Sequence, residues 1–304
     1  MQPSTKIMQS RVSAVDLAML TVVAIWGINS AVVKSSLAGW DQLAFNAIRF
    51  PGAALLLFAY LLLTDRQWRL KWSDLWRVAA LGLVGNGFYQ WLYIEAISRG
   101  TASNTSLIIA MSPVVVTLWG ALAGTDRLSA WIYGGVAVSF AGAGLVIFGQ
   151  QGGFHLGGPS LVGDLIAFGA MACWAGYTVY ARGVIDRIGS SLRVTAWAMI
   201  FGAITNVLIG LPALLRQDYS LITTTSVSGM AFSAVFSLVA GYVIYAWAVS
   251  RVGGARTAIY LNLTPILSAV IAWLFIGEQW TVLQWSGALF VVVGVTVTKL
   301  EAAK

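Results

Sequence analysis

YIEAISRGTASNTSLIIAMSP, residues 93–113, returns 152 positions later as YAWAVSRVGGARTAIYLNLTP, residues 245–265. Tyr93 meets Tyr245, Ala96 meets Ala248, Ser98-Arg99 meets Ser250-Arg251, Thr105 meets Thr257 and Pro113 meets Pro265. Downstream, Leu122 falls on Leu274, Gly135 on Gly287 and Gly142 on Gly294. Upstream the offset is 148, and it pairs Asp16 with Asp164, Trp26 with Trp174 and Lys34 with Arg182. Apolar sequences match one another by chance at Leu, Val and Ala. Ordered matches at Trp, Pro, Arg and Asp mark an internal duplication.

The duplicated sequence is one that lipid must solvate. The chain is 59% hydrophobic and only 10% charged, with mean hydropathy +0.81, against about 25% charged in an ordinary soluble domain. A span needs about 20 mostly apolar residues to cross ~30 Å of hydrocarbon. The charge-free stretches place ten spans, at 14–34, 42–63, 76–97, 102–123, 131–149, 161–182, 192–213, 227–249, 256–276 and 281–299. These runs are long and apolar on all sides, so they read as helices and not as barrel strands. The expected fold is an all-α integral membrane protein: a five-helix repeat over 1–149, a Gly-rich outer connection over 150–160, and a second repeat over 161–304. Five is odd, so the second repeat sits upside-down relative to the first. Inverted repeats make two similar gates around a midplane site and are characteristic of secondary transporters.

The formal charge of +7 does not point to nucleic acid, because the cations are scattered singly between apolar runs. With the N-terminus inside, 14 of the 18 Lys and Arg residues fall on the inner side. The positive-inside rule then puts both termini in the cytoplasm, in a cytoplasmic (inner) membrane. The first apolar run, Leu17 to Val33, is too long for a signal-peptide core and reads as the first span.

Several short segments resemble the drug/metabolite transporter superfamily, in its ten-helix EamA-type branch. They are Trp26-Gly27-Ile28-Asn29, Phe45-Asn46-Ala47-Ile48-Arg49, Ser112-Pro113, Thr264-Pro265, Ile276-Gly277-Glu278-Gln279, Gln284-Trp285-Ser286-Gly287 and the region of Gly294. The resemblance covers nearly the whole chain. The first repeat departs from it, with Gly124-Thr125-Asp126 where the second has Gly277-Glu278. Within the superfamily the chain looks most like exporters of amino acids, aromatic ones in particular. The resemblance implies a carrier of small organic solutes, exporting or exchanging them by alternating access.

Polar groups inside spans are costly and face the bundle interior. Asn86, Tyr89, Gln90 and Tyr93 share one face of the third span at helical spacing. The eighth span offers Tyr242 and Tyr245, the first Trp26 and Asn29, the sixth Trp174 and Tyr177, and the ninth Asn262. Together they are the candidate substrate-binding set, aromatic enough to stack on an apolar body and polar enough to bond its ends. Asn46, Asn104 and Asn206 are further intramembrane amides that serve either substrate or helix packing. Pro113 and Pro265 are expected to kink their helices and act as hinges. Lys34, near a span end, either attracts a carboxylate or snorkels to the interface. Arg49 either attracts a carboxylate or pairs with another helix. Gly135, Gly142 and Gly149, with Gly287 and Gly294, form seven-residue stripes for close packing, within the chain or at a dimer seam.

With Cys173 and His155 as the only residues of their kinds, neither a disulfide nor a Cys- or His-cluster metal site is expected. No cofactor is expected, and no nucleotide-binding motif supports ATP-driven pumping. Nor does the chain offer an enzyme's reactive constellation or a channel's filter segment. Deep acidic relays are not evident, so transport is expected to follow or exchange solute gradients without protons. The expected partners are a small-molecule substrate (an amino acid or similar metabolite) and membrane lipid, with no nucleic acid, and the chain is a monomer or homodimer.

Overall fold

The computed structural model describes residues 14–122, 129–149, 158–252, 260–261 and 263–302. Among them the chain forms ten helical rods and no strand. We label them α1 (Ala14–Ser36), α2 (Gln42–Thr64), α3 (72–99), α4 (102–122), α5 (Ala130–Phe148), α6 (Pro159–Ile188), α7 (Ser191–Arg216), α8 (224–252), α9 (Thr264–Ile276) and α10 (Val282–Ala302). Every rod falls on an expected span, and several run a few residues longer. Most of the expected start of the ninth span lies outside the described residues.

Local chemistry sets the ends. Asp41, Thr101, Ser129, Ser190 and Thr223 each accept a backbone N–H from the first turn of the helix that follows. Gly189 and Gly277 close α6 and α9 with φ of +77° and +71°, a left-handed cap that glycine adopts without a Cβ penalty.

Three rods are interrupted, a turn precedes a fourth, and these features repeat. α3 contains a π-helical segment at Leu83–Phe88, and α8 contains one at Ser233–Ala240. α4 breaks at Met111 and α9 begins after a turn at Leu263, again 152 positions apart. The packing repeats as well. Exchanging each rod of the first half for its mate in the second carries α1–α9 onto α6–α4, α1–α8 onto α6–α3, and α2–α8 onto α7–α3. It carries α2–α7 and α5–α10 onto themselves. This is the contact pattern of two inverted five-helix repeats related by a pseudo-twofold axis.

Six helices are long and apolar enough by length and composition to cross a bilayer: α1, α2, α5, α6, α7 and Thr224–Tyr245 of α8. Leu55 and Leu63 of α2 and Leu208 and Leu215 of α7 are exposed, apolar surface that suits lipid.

The glycine stripes face each other inside the chain. A Cβ on Gly142 would lie 2.6 Å from the Gly287 carbonyl oxygen, and one on Gly287 would lie 2.6 Å from that of Gly142. Gly135 and Gly294 repeat the contact one heptad away. These residues bring α5 and α10 backbone to backbone.

Two charged side chains fasten the α3–α4 turn. Lys34 donates to the carbonyl oxygens of Ile97, Ser98 and Gly100 at 2.7, 3.2 and 2.8 Å. It therefore caps the C-terminus of α3, where backbone carbonyls are left without helical donors. Glu278 accepts the N–H groups of Ala102 and Ser103 and the Ser103 hydroxyl at 2.8, 3.2 and 2.6 Å, so it caps α4 from the other repeat. Glu278→Ala is expected to lower stability by roughly 1–2 kcal/mol, read as a fall in the thermal unfolding midpoint in detergent. An unchanged midpoint would remove Glu278 from this role.

Candidate functional site

The expected aromatic residues meet. Trp174 on α6 lies 5.1 Å from Tyr89, 5.4 Å from Tyr177 and 6.4 Å from Tyr242, centroid to centroid. Tyr89 stacks on Tyr93 at 6.0 Å. Trp26 on α1 touches Tyr242 at 5.9 Å and Tyr245 at 5.5 Å. The seven rings thus form one connected cluster drawn from α1, α3, α6 and α8, two helices of each repeat. Tyr93 is buried, while the other six keep part of their surface accessible though they face one another inside the bundle.

The interrupted helices make room for these rings. A Cβ on Gly85, in the π segment of α3, would run into the Tyr177 ring, and one on Gly241, just after the π segment of α8, would run into the Trp26 indole nitrogen. The wide turns also expose carbonyls. Trp26 Nε1 donates to the Ser237 carbonyl at 3.1 Å, and Asn206 Nδ2 donates to the Asn86 carbonyl at 3.0 Å. Such turns commonly occur at functional positions.

Beside the rings lies a buried polar network. Arg49 on α2 is 1% exposed. Its Nη1 donates to Ser233 Oγ at 2.9 Å, and its Nη2 donates to Asn46 Oδ1 at 3.0 Å and Gln90 Oε1 at 2.6 Å. Asn46 in turn donates to Asn206 Oδ1 at 2.7 Å, which ties α2 to α7. The guanidinium sits 5.7 Å from the Phe45 ring centroid, Phe45 packs in one core with Tyr93, and Gln90, which Arg49 bonds, directly follows Tyr89 on α3. Network and cluster are therefore one site.

Two expected amides stand ready in it. Asn29 Oδ1 and both side-chain polar atoms of Asn86 are buried without a hydrogen-bond partner among the described residues, and the Tyr93 hydroxyl faces Asn29 and Ser30. Buried polar atoms are ordinarily satisfied, so those left open are places for a ligand or water.

Other expectations are relocated. Asn262 lies outside the described residues. Asn104 joins Asp164 and Gln284 near the ends of α4, α6 and α10, away from the aromatic cluster. Pro113 and Pro265 stand in the first turn of the helical segment that follows a break, where a missing N–H costs nothing. They do not kink a continuous helix. Glu95 bonds Arg99 at 2.8 Å and Gln42 at 3.1 Å.

Sequence reading left Ser233 unmarked, since one serine in an apolar run carries no signal. Arg49 did carry one, as the only charge within α2. Among the described residues no group of three or more His, Cys, Asp or Glu residues could hold a metal ion.

A basic basin occupies the end of the bundle where α2 turns into α3 and α6 into α7. Arg66, Arg69, Lys71, Arg187 and Arg193 line it, and Arg187 and Arg193 pair with Asp74 and Asp65.

Two inverted five-helix repeats of apolar helices, with an aromatic and polar cluster between them, are the architecture of a multi-pass membrane transporter. The model of the EamA-like transporter family matches twice, over residues 13–148 and 161–300, and the chain belongs to that family. It is 27% identical over 267 residues to the uncharacterized transporter YyaM of Bacillus subtilis, covering 86% of this chain and 83% of that one. It is 24% identical to an uncharacterized transporter of Archaeoglobus fulgidus, covering 92% and 96%. It is also 24% identical to the uncharacterized inner membrane transporter YicL of Salmonella typhimurium, covering 95% and 96%. A solved crystal structure at 19% identity superposes with a TM-score of 0.68 over 95% of this chain and 98% of its own, which is a likeness of fold.

Proposed function

We propose that this transporter exports or exchanges aromatic and hydrophobic amino acids by alternating access through the central site. The observation that carries the reading is the seven-ring cluster contributed by both repeats. Aromatic faces and edges accept a flat apolar side chain. The open amide oxygens of Asn29 and Asn86 suit an ammonium group beside it. The related inner-membrane transporter and the basic basin at one end of the bundle support a cytoplasmic membrane with both termini inside. Among the described residues the site holds no Asp or Glu to relay protons, which favours exchange of solute for solute.

Counterflow tests the reading. Liposomes carrying the purified protein are loaded with unlabelled phenylalanine, and uptake of labelled phenylalanine is followed, with threonine as the comparison. The expected result is saturable phenylalanine uptake, slower for threonine and lost in Tyr89→Ala. Absence of phenylalanine uptake by folded protein would overturn the amino-acid assignment and turn attention to other metabolites and drug-like solutes.

A further inference from the structure

Arg49 is charged, buried and uncompensated. Its three hydrogen bonds go to a serine hydroxyl and two amide oxygens, all neutral, and its Nε–H has no partner among the described residues. The ion pairs among the described residues join Asp74 to Arg77 and Arg187, Glu95 to Arg99, and Asp65 to Arg193. None of them reaches Arg49. A guanidinium stays charged at any ordinary pH, and a lone charge away from water is expensive.

Scaffolding is a poor explanation for that expense. A neutral donor would hold Asn46, Gln90 and Ser233 together without burying a charge. The repeat does not require it either. Arg49 lies seven residues into α2, whereas α7, its mate, carries no charged residue between Val194 and Leu215. The pseudo-twofold architecture is thus complete without a cation in the interior of one of the two mated helices. What distinguishes the Arg49 side is its neighbourhood: Gln90, which it bonds, follows Tyr89 on α3, Phe45 beside it packs in one core with Tyr93, and Asn29 Oδ1 is buried without a partner among the described residues.

We propose that Arg49 is the receptor for a carboxylate on the substrate, so that the carrier takes solutes with an aromatic or apolar body and one carboxylate and rejects the corresponding amines and esters. The free Nε–H is a donor available to a carboxylate oxygen, and the guanidinium charge strengthens such a bond. The inference rests on reading the aromatic cluster as the substrate site. It goes further than that reading in making the carboxylate, not the ammonium, the obligatory group. A solute such as 3-phenylpropionate, which lacks the ammonium, then remains a ligand.

Isothermal titration of the purified full chain in detergent tests this with 3-phenylpropionate, phenylalanine, phenylalanine methyl ester and phenethylamine. The two carboxylates are expected to bind, and the ester and amine to bind at least tenfold more weakly. Arg49→Gln should weaken both carboxylates at least tenfold while its thermal midpoint holds or rises, since an uncompensated charge has been removed. Arg49→Lys should keep the preference for carboxylates at intermediate affinity. The proposal is overturned if the ester or amine binds as tightly as the carboxylates, if folded Arg49→Gln retains carboxylate affinity, or if neither carboxylate binds. The wild-type comparison of acid with ester decides the matter even should a variant fail to fold. Binding of 3-phenylpropionate without phenylalanine transport would keep the receptor and discard the amino-acid assignment. Phenylalanine transport untouched by Arg49→Gln would do the reverse.

Discussion

Trp174→Ala should reduce phenylalanine counterflow about tenfold to a hundredfold while the protein stays folded. Trp174 is the hub of the aromatic cluster, in contact with Tyr89 of α3, Tyr177 of its own helix and Tyr242 of α8. Truncation deletes the surface on which rings from both repeats converge. If a substrate ring buries itself there, the lost burial and stacking amount to ~1.5–3 kcal/mol, which sets the range quoted. Trp174→Phe keeps a flat apolar face and should retain most of the rate. The measurement is initial uptake against external phenylalanine, normalised to protein that elutes as a single species. A Trp174→Ala protein with wild-type rates would place the substrate elsewhere.

The second large effect concerns stability. Gly142→Leu is expected to cost ~3 kcal/mol or more and to lower the thermal midpoint in detergent by about 5–10 °C. A Cβ at this position meets the Gly287 carbonyl oxygen at 2.6 Å and the Val291 nitrogen at 2.7 Å. Both obstacles are backbone, so no side chain can turn aside and α5 must part from α10. The matching control is Gly134→Leu on the same helix, where a Cβ meets nothing within 4 Å and the change should stay within about 0.5 kcal/mol. Equal midpoints for the two variants would mean that the α5–α10 seam is not the tight contact described.

The repeat was legible because membrane helices restrict their sequences in few but firm ways. Trp, Pro, Arg and Gly recur where the architecture recurs, and the breaks at Met111 and Leu263 obey the same offset as Pro113 and Pro265. The aromatic members of the site could be found from helical spacing, since large polar aromatics deep in a span have few other uses. The polar half was harder to read. Asn46, Gln90, Asn104 and Asn206 look alike in sequence, yet three of them join Arg49 and its network while Asn104 turns to Asp164. Which partner an amide finds depends on how distant helices face each other, and periodicity along one helix does not contain that information. The π segments were also hidden, because an inserted residue shifts the helical face by a fraction of a turn without changing composition. Glu278 was flagged as a motif, but its task of capping α4 across the repeat boundary only emerges from tertiary contact.

The buried cation bears on energetics as well as selectivity. An uncompensated ion in the interior costs several kcal/mol even after relaxation. On this account a bound carboxylate offsets that cost, because the guanidinium of the loaded site is paired where that of the empty one is not. Conformational change with substrate aboard is then easier than return with the site empty. Exchange should therefore outpace net efflux. The repeat-matched interruptions in α3 with α8 and α4 with α9 are the natural places for such a change to bend, because wide turns and breaks already lack regular helical hydrogen bonds.

Trans-acceleration tests that claim most directly. Proteoliposomes are loaded with labelled phenylalanine, and its efflux is timed into buffer with and without unlabelled phenylalanine, while internal pH is monitored. The account predicts that external phenylalanine speeds efflux several-fold, with a saturable dependence and no matched proton movement. Efflux that ignores external phenylalanine would contradict alternating access through a site whose buried guanidinium the substrate's carboxylate pairs, and a proton flux equal to the solute flux would contradict solute-for-solute exchange.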